Sequence, residues 1–245
     1  AIPNPLGSSV DRHRLIRYAY GDEAGYARMN DEAFAAWDRL WADLGAQHYV
    51  ETGSLGIDAP GADWARRSAA TLAKLGIPHE MLTGAEMARR WPHLRPERVE
   101  AALYQPRGGA LFAERIVESL AKHLAARGAA LHANTRVSEI DPERGQIVLP
   151  DGKRHAFDRV VVAAGPWVNK LTQALAKRVT PSRQIVVYLD PPASEAAAWA
   201  GAPMMIEMQA NYAFYAVPPR AGLGLKFGDH RFTLDGDPDK ERTAT

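Results

Sequence analysis

Between Arg159 and Trp167 the chain runs Val160-Val161-Val162-Ala163-Ala164-Gly165-Pro166. Three successive β-branched side chains are stiff at χ1 and disfavour a helix. An unbroken apolar run of this kind reads as a strand buried on both faces. The run stops at small residues, and Gly165 has no Cβ to hold another molecule away from the strand end. The spacing predicts a helix from about Trp167 to Ala176 after it.

The neighbouring segments carry both periodicities. Helical spacing of Phe34, Trp37, Leu40, Trp41 and Leu44 predicts a helix over 31–44, with Gly45 just past its end. Further amphipathic helices are expected over 63–75, stopped by Gly76 and Pro78, and over 114–127, stopped by Gly128. Thr83-Gly84-Ala85-Glu86 has the form of a capping box opening a short helix before Pro92. The stretch 8–20 suits a short helix or an ordered loop, and Gly108–Phe112 a bend. Strands are expected at 50–57, 101–104, 130–132 and 137–140, and at 146–149 and 154–157 around the hairpin signal Asp151-Gly152. The last part reads as antiparallel strands at 184–189, 204–207, 212–217 and 224–227. A helix–strand layer joined to an antiparallel sheet places the chain in the α/β (α+β) class.

At 245 residues the chain is long enough for one large or two modest domains with a substantial core. A formal net charge of +1 excludes a dominant electrostatic attraction to nucleic acid or an acidic membrane, so Arg66-Arg67 and Arg89-Arg90 read as solvated helix faces. Zero cysteines remove disulfides, thiolate zinc sites and cysteine nucleophiles together. No apolar run approaches the roughly 20 residues that span a bilayer, and the expectation is a soluble, cytoplasmic protein. The chain begins Ala1-Ile2-Pro3-Asn4-Pro5 without an initiator methionine and closes on Asp235-Gly236-Asp237-Pro238 and a charged tail, so it is expected to be an internal piece of a longer protein.

Few local motifs point to chemistry by themselves. Nowhere does a strand lead through Gly-x-Gly-x-x-Gly into a helix, the unit that sets a pyrophosphate on a helix N-terminus. Gly222-Leu223-Gly224 lacks the third glycine and reads as a bend. Gly53-Ser54-Leu55-Gly56 is not a nucleophile elbow, and the eight histidines lack metal-ligand spacing, so no metal is expected. Taken alone, Arg14 and Arg17 read as a basic surface face, and Lys226 as an exposed strand lysine.

Taken in order, several segments carry a resemblance. Ser8-Ser9-Val10-Asp11-Arg12-His13-Arg14-Leu15-Ile16-Arg17-Tyr18-Ala19-Tyr20-Gly21 is similar to the segment after the first nucleotide-binding unit in sarcosine and N-methyltryptophan oxidases, flavoenzymes of the D-amino-acid oxidase superfamily. Arg90-Trp91-Pro92, Gly108–Phe112, Thr135-Arg136-Val137, Ala164-Gly165-Pro166-Trp167, Arg183-Gln184-Ile185-Val186 and Gly224-Leu225-Lys226-Phe227-Gly228-Asp229-His230 match in the same order. The resemblance covers essentially the whole chain.

What the resemblance implies is specific. The fold would be a partial Rossmann-like FAD-binding domain (1–47 and 105–176) plus an antiparallel-sheet substrate domain (48–104 and 177–245). FAD would be held by Ser8, Ser9, Arg14, Val137, Ala163, Ala164, Gly165 and Trp167. Arg14 would lie over the flavin face. Arg17 would hold a substrate carboxylate through its guanidinium fork, and residues three apart on a helix would present both cations to one pocket. Lys226 would place a cation where dioxygen is reduced, and His230, Phe214 and Tyr215 would line the substrate pocket. The implied substrate is a secondary amine or N-methyl amino acid, oxidised with dioxygen to an imine and hydrogen peroxide by a monomeric enzyme. The chain alone is expected to be inactive and to bind FAD poorly. Two positions depart from the family: its usual histidine is Val10 here, and its threonine before the first arginine is His13. A glycine- or D-amino-acid-oxidase-like enzyme, a flavin dehydrogenase, and a flavin-free non-enzymatic chain are the alternatives.

Overall fold

The structure is a computed structural model describing residues 1–209, 212–230, 232–233 and 236–240; of the closing stretch, Leu234, Asp235 and the tail from Glu241 lie outside these. The chain clusters into two compact units. The smaller comprises Ala1–Val10, Leu120–Arg183 and Phe232–Thr245, and the larger Asp11–Ser119 and Gln184–Arg231.

In chain order the elements begin with β1 (Arg14–Ile16), α1 (Ala24–Leu44), β2 (Tyr49–Glu51), β3 (Ser54–Asp58), α2 (Trp64–Lys74), β4 (Glu80–Leu82) and α3 (Gly84–Arg90). Then come β5 (Ala101–Gln105), β6 (Gly109–Leu111), α4 (Ala113–Ala126), β7 (Glu139–Asp141), β8 (Gln146–Val148), β9 (Arg154–Ala156), α5 (Val168–Leu171) and α6 (Gln173–Ala176). The chain continues with β10 (Val186–Leu189), α7 (Ala196–Ala200), β11 (Met204–Met208), β12 (Ala213–Val217) and β13 (Leu225–Asp229). Among the described residues, no helix is long and apolar enough to cross a membrane.

The larger unit is organised by a seven-stranded sheet in the order β10-β13-β12-β11-β3-β5-β4. Every pairing in it is antiparallel except that of β11 with β3. Successive strand residues point to opposite faces, so the register sorts them. On one face Leu55, Ile57, Ala102, Met205, Ala216 and Leu225 form the core with Leu82, closed by Met87 and Trp91 from α3 and its end. The other face carries Gly56, Asp58, Leu103, Tyr215, Val217, Lys226 and Gly228. There α2 packs so closely that a Cβ on Gly56 would stand 3.0 Å from the Trp64 ring. The same helix is capped from the sheet rather than from its own N-cap residue. Buried Asp58 accepts the Ala65 amide at 2.7 Å and the Arg66 amide at 3.1 Å, a full negative charge on the positive helix end. A smaller sheet, β1-β6-β2, completes the unit.

The capping box forms: the Glu86 amide donates to Thr83 Oγ1 at 3.2 Å and the Thr83 amide to Glu86 Oε2 at 2.8 Å. Helix α1 begins earlier than its large apolar side chains suggest: its first two turns bury only the small Ala27 and the polar Asn30, while Tyr26 and Met29 stand in solvent. The expected strand at 50–57 divides into β2 and β3, which join different sheets. The bend at Gly108–Phe112 contains β6, and the helix or loop expected at 8–20 contains a 3₁₀ turn (Ser8–Val10) and β1.

The smaller unit holds the meander β7-β8-β9, with its last turn at Asp151-Gly152 as expected. The run Arg159–Ala164 is not a strand, and Val161 is 89% exposed. A strand exists only by pairing, and no described segment pairs with this one or with 130–132, so sequence propensity has nothing to act on. Gly165–Trp167 instead forms a 3₁₀ turn leading into α5 and α6, where the Trp167 indole donates to Asp239 at 2.9 Å.

Replacing Asp58 with alanine orphans two helix-end amides in a buried setting and is expected to destabilise the chain by about 3 kcal/mol, with asparagine costing roughly half. Urea unfolding followed by far-ultraviolet circular dichroism measures both.

Candidate active site

Strands β10, β12 and β13 lie side by side, and their register brings Tyr188 opposite Lys226 and Tyr215 opposite Gly228 on the face away from the core. Lys226 is only 1% exposed. Its ammonium donates to the Asp11 carboxylate and, at 3.0 Å, to the His13 carbonyl. The nitrogen stands 5.3 Å from the centre of the Tyr215 ring and 6.0 Å from that of Tyr188. The second Asp11 oxygen accepts the Tyr188 hydroxyl at 2.5 Å, and Arg14 Nε lies 3.4 Å from the first. Gly228 is required here, since a Cβ on it would come within 2.5 Å of the Tyr215 ring.

The charges in this cluster act on one another. Burial pulls the Lys226 ammonium below its ordinary value, the Asp11 hydrogen bond and charge oppose that, and Arg14 adds to it. For Asp11 burial works upward, but the bonds from Lys226 and Tyr188 and the charges of Lys226 and Arg14 win and hold the carboxyl low. The Tyr188 phenol is pushed up, by burial first and then by its bond to Asp11. His13 is fully buried, stacks obliquely on Tyr188 at 5.5 Å, and neither ring nitrogen has a partner in hydrogen-bond geometry. Burial and the Lys226 charge both lower it, outweighing the nearby carbonyls of His13 and Gly224, so it is held neutral. His230 packs on Tyr215 at 5.3 Å with its buried Nε2 unpartnered, lowered by burial and then by the charge of Arg17. Arg17 itself is half-buried; its Nε donates to the Ala19 carbonyl at 3.1 Å and its guanidinium lies 4.5 Å over the Tyr20 ring.

The larger unit thus gathers Arg14, Tyr215 and Lys226 around Asp11, with His230 beside Tyr215 and within reach of the Arg17 charge. Two expectations change. Arg14 and Arg17 do not share a helix face, because there is no helix here: Arg14 opens the extended strand β1 and Arg17 follows its last residue. Phe214 is next to Tyr215 in β12, so it points to the opposite face of the sheet, paired across from Asp229. In the smaller unit Ser8 and Ser9 sit exposed in the first 3₁₀ turn, and Val137 is half-buried in irregular chain. Ala163 and Ala164 precede the second 3₁₀ turn, where Gly165 has φ +53° and open space at its Cβ position, and Trp167 is half-buried. Asp11 and Tyr188 are cluster members that no local pattern singles out. The contact between them spans 177 residues of sequence and exists only in the folded chain.

The chain belongs to the FAD dependent oxidoreductase family DAO, whose model matches residues 3–245. It is similar to the monomeric sarcosine oxidase of Bacillus sp. (strain B-0618), with 27% identity over 242 residues, 97% of this chain and 62% of that protein. The N-methyl-L-tryptophan oxidase of Yersinia pestis (strain Pestoides F) is 26% identical over 230 residues, 93% of this chain and 61% of that protein. Among solved structures, NikD, an unusual amino acid oxidase essential for nikkomycin biosynthesis, shares the fold with a TM-score of 0.78 and 22% identity, over 97% of this chain and 63% of that one. The chain therefore spans a little over three fifths of the length of each of these relatives.

FAD is the cofactor of this family. The residues of the larger unit fit the redox end of such a group: a buried cation, aromatic walls and buried imidazole nitrogens with no protein partner. The chain holds no Gly-x-Gly-x-x-Gly unit for the pyrophosphate end.

His13, His48, His93 and His230 all titrate below the ordinary 6.5 in the folded chain. As pH falls through 6.5 the unfolded chain binds protons before the folded one, so stability is full above that value and is lost below it. His13→Leu is expected to remove part of this acid slope. Urea midpoints of both proteins between about pH 7 and pH 5 check it, and parallel slopes would mean that His13 titrates normally.

Proposed function

We propose that the chain carries the catalytic face of an FAD-dependent amine oxidase acting on a secondary amine or N-methyl amino acid, with dioxygen as electron acceptor. The products would be an imine, which hydrolyses, and hydrogen peroxide. The observation that carries this reading is Lys226, an ammonium buried to 1% exposure between two tyrosine rings in a member of this oxidoreductase family.

Bound FAD supplies the redox chemistry; the protein orients the amine and sets the local charge. In this reading residues 1–47 and 105–176 serve the cofactor and residues 48–104 and 177–245 the substrate. Ser8, Ser9, Val137, Ala163, Ala164, Gly165 and Trp167 hold FAD on the strength of the family resemblance. Arg14 is the cation for the reduced ring. Arg17 binds the substrate carboxylate, since a planar fork matches that group and its guanidinium is already partly desolvated. His230, kept neutral, accepts a hydrogen bond or proton from the amine, and Tyr215 walls the pocket. Lys226 stabilises negative charge developing on dioxygen in a water-poor setting.

Two substitutions in the flavin-loaded enzyme test the assignment. Lys226→Met is expected to slow reoxidation by dioxygen by about a hundredfold or more and reduction by substrate by only a few-fold, as one preorganised charge is lost. Stopped-flow measurement of each half-reaction separates them, and equal slowing of both removes the oxygen role. Arg17→Ala is expected to weaken binding of N-methyl amino acids by about 2–5 kcal/mol, with Arg17→Lys restoring a part. Unchanged affinity would make an amine without a carboxylate the better substrate class.

A further inference from the structure

We propose that Asp11 and Tyr188 are positioning residues for Lys226. The carboxylate is the counter-ion that keeps the buried amine an ammonium, and the phenol fixes the orientation of the carboxylate. The functional consequence rests on the oxygen role given to Lys226 above.

The groups facing Lys226 come from three directions. The segment leading into β1 supplies Asp11, Arg14 and the carbonyl and ring of His13; β10 supplies Tyr188, and β12 supplies Tyr215. Among the described residues Asp11 is the only carboxylate in ion-pair distance of Lys226, while Arg14 is a second cation on the same carboxylate oxygen. An ammonium removed from water without a counter-ion gives up its proton instead of staying charged. Two cations around a lost anion would repel each other as well. Asp11 therefore decides whether Lys226 carries charge at all.

The geometry also fixes direction. One Asp11 oxygen serves Lys226 and Arg14, and the other takes the Tyr188 hydroxyl, so the carboxylate is held at both ends. Tyr188 and Lys226 are direct partners in the β10–β13 ladder, so backbone pairing sets the third side of the triangle. A rigid triangle of this kind holds an ammonium in one place, which a free four-carbon side chain does not do.

The test uses the 245-residue chain, with no flavin, labelled at lysine 13Cε. Lys226→Met identifies the Lys226 signal. In the parent chain that signal is expected to stay protonated from about pH 6 to pH 9, whereas in Asp11→Asn its titration moves down by at least about one unit, and Asp11→Glu restores it. Tyr188→Phe is expected to move it slightly in the same direction. An unchanged Lys226 titration in Asp11→Asn overturns the proposal. If Asp11→Asn folds poorly, a second measurement decides. The variant is expected to lose most of its unfolding midpoint with Lys226 present and little in a Lys226→Met background, and equal losses in the two backgrounds overturn it. In the flavin-loaded enzyme, the dioxygen half-reaction of Asp11→Asn should decline with rising pH along the NMR titration while substrate reduction does not. A shifted titration with an unaffected dioxygen rate upholds the positioning and removes the oxygen role, so the two readings fail separately.

Discussion

The period of two in the seven-stranded sheet governs both halves of the larger unit. One set of alternate residues, from Leu55 through Ala216 to Leu225, builds the core under α3. The intervening set, from Asp58 to Lys226, holds a helix at one end and a charged cluster at the other. A slip of one residue in β13 would turn Lys226 into the core and Phe227 out of it. The register that secures the fold is thus the register that assembles the candidate site.

Both ends of that second face solve the same electrostatic problem. Asp58 is an anion taken out of water, and it is tolerated because two amides at the start of α2 point at it. Lys226 is a cation taken out of water, tolerated because Asp11 and a carbonyl accept from it. In neither case does a charge stand alone, as the cost of burial requires. The imidazoles of His13 and His230 take the other course and give up their charge.

What the sequence made legible is what local physics decides. The capping box at Thr83, the hairpin at Asp151-Gly152, the stop at Gly45 and the antiparallel strands of the last part need only a few residues each, and all of them form. Family resemblance points to Lys226, Tyr215 and His230, of which local pattern alone makes two ordinary strand residues and a lone histidine. The failures lie where the outcome depends on partners. Val160-Val161-Val162 has strand propensity, but no described segment pairs with it. Arg14 and Arg17 would share a face only at helical spacing, and the pairing of β1 with β6 replaces the helix with a strand. Asp11 and Tyr188 carry no signature at all, since their roles arise only when residues far apart in sequence are brought onto one sheet face.

The parallel pairing of β3 with β11 has a consequence for how such a chain is made. Leu55 in β3 lies against Met205 in β11, about 150 residues later. At ribosomal speeds of roughly 5–20 residues per second, the β3 edge therefore waits on the order of ten to thirty seconds for its partner to be synthesised. During that interval β3, β5 and β4 present an apolar face and an unpaired backbone edge that invites foreign strands. Early growth of this protein in the cell is thus a period of exposure for the β3 edge, ended when β11 emerges and pairs with it.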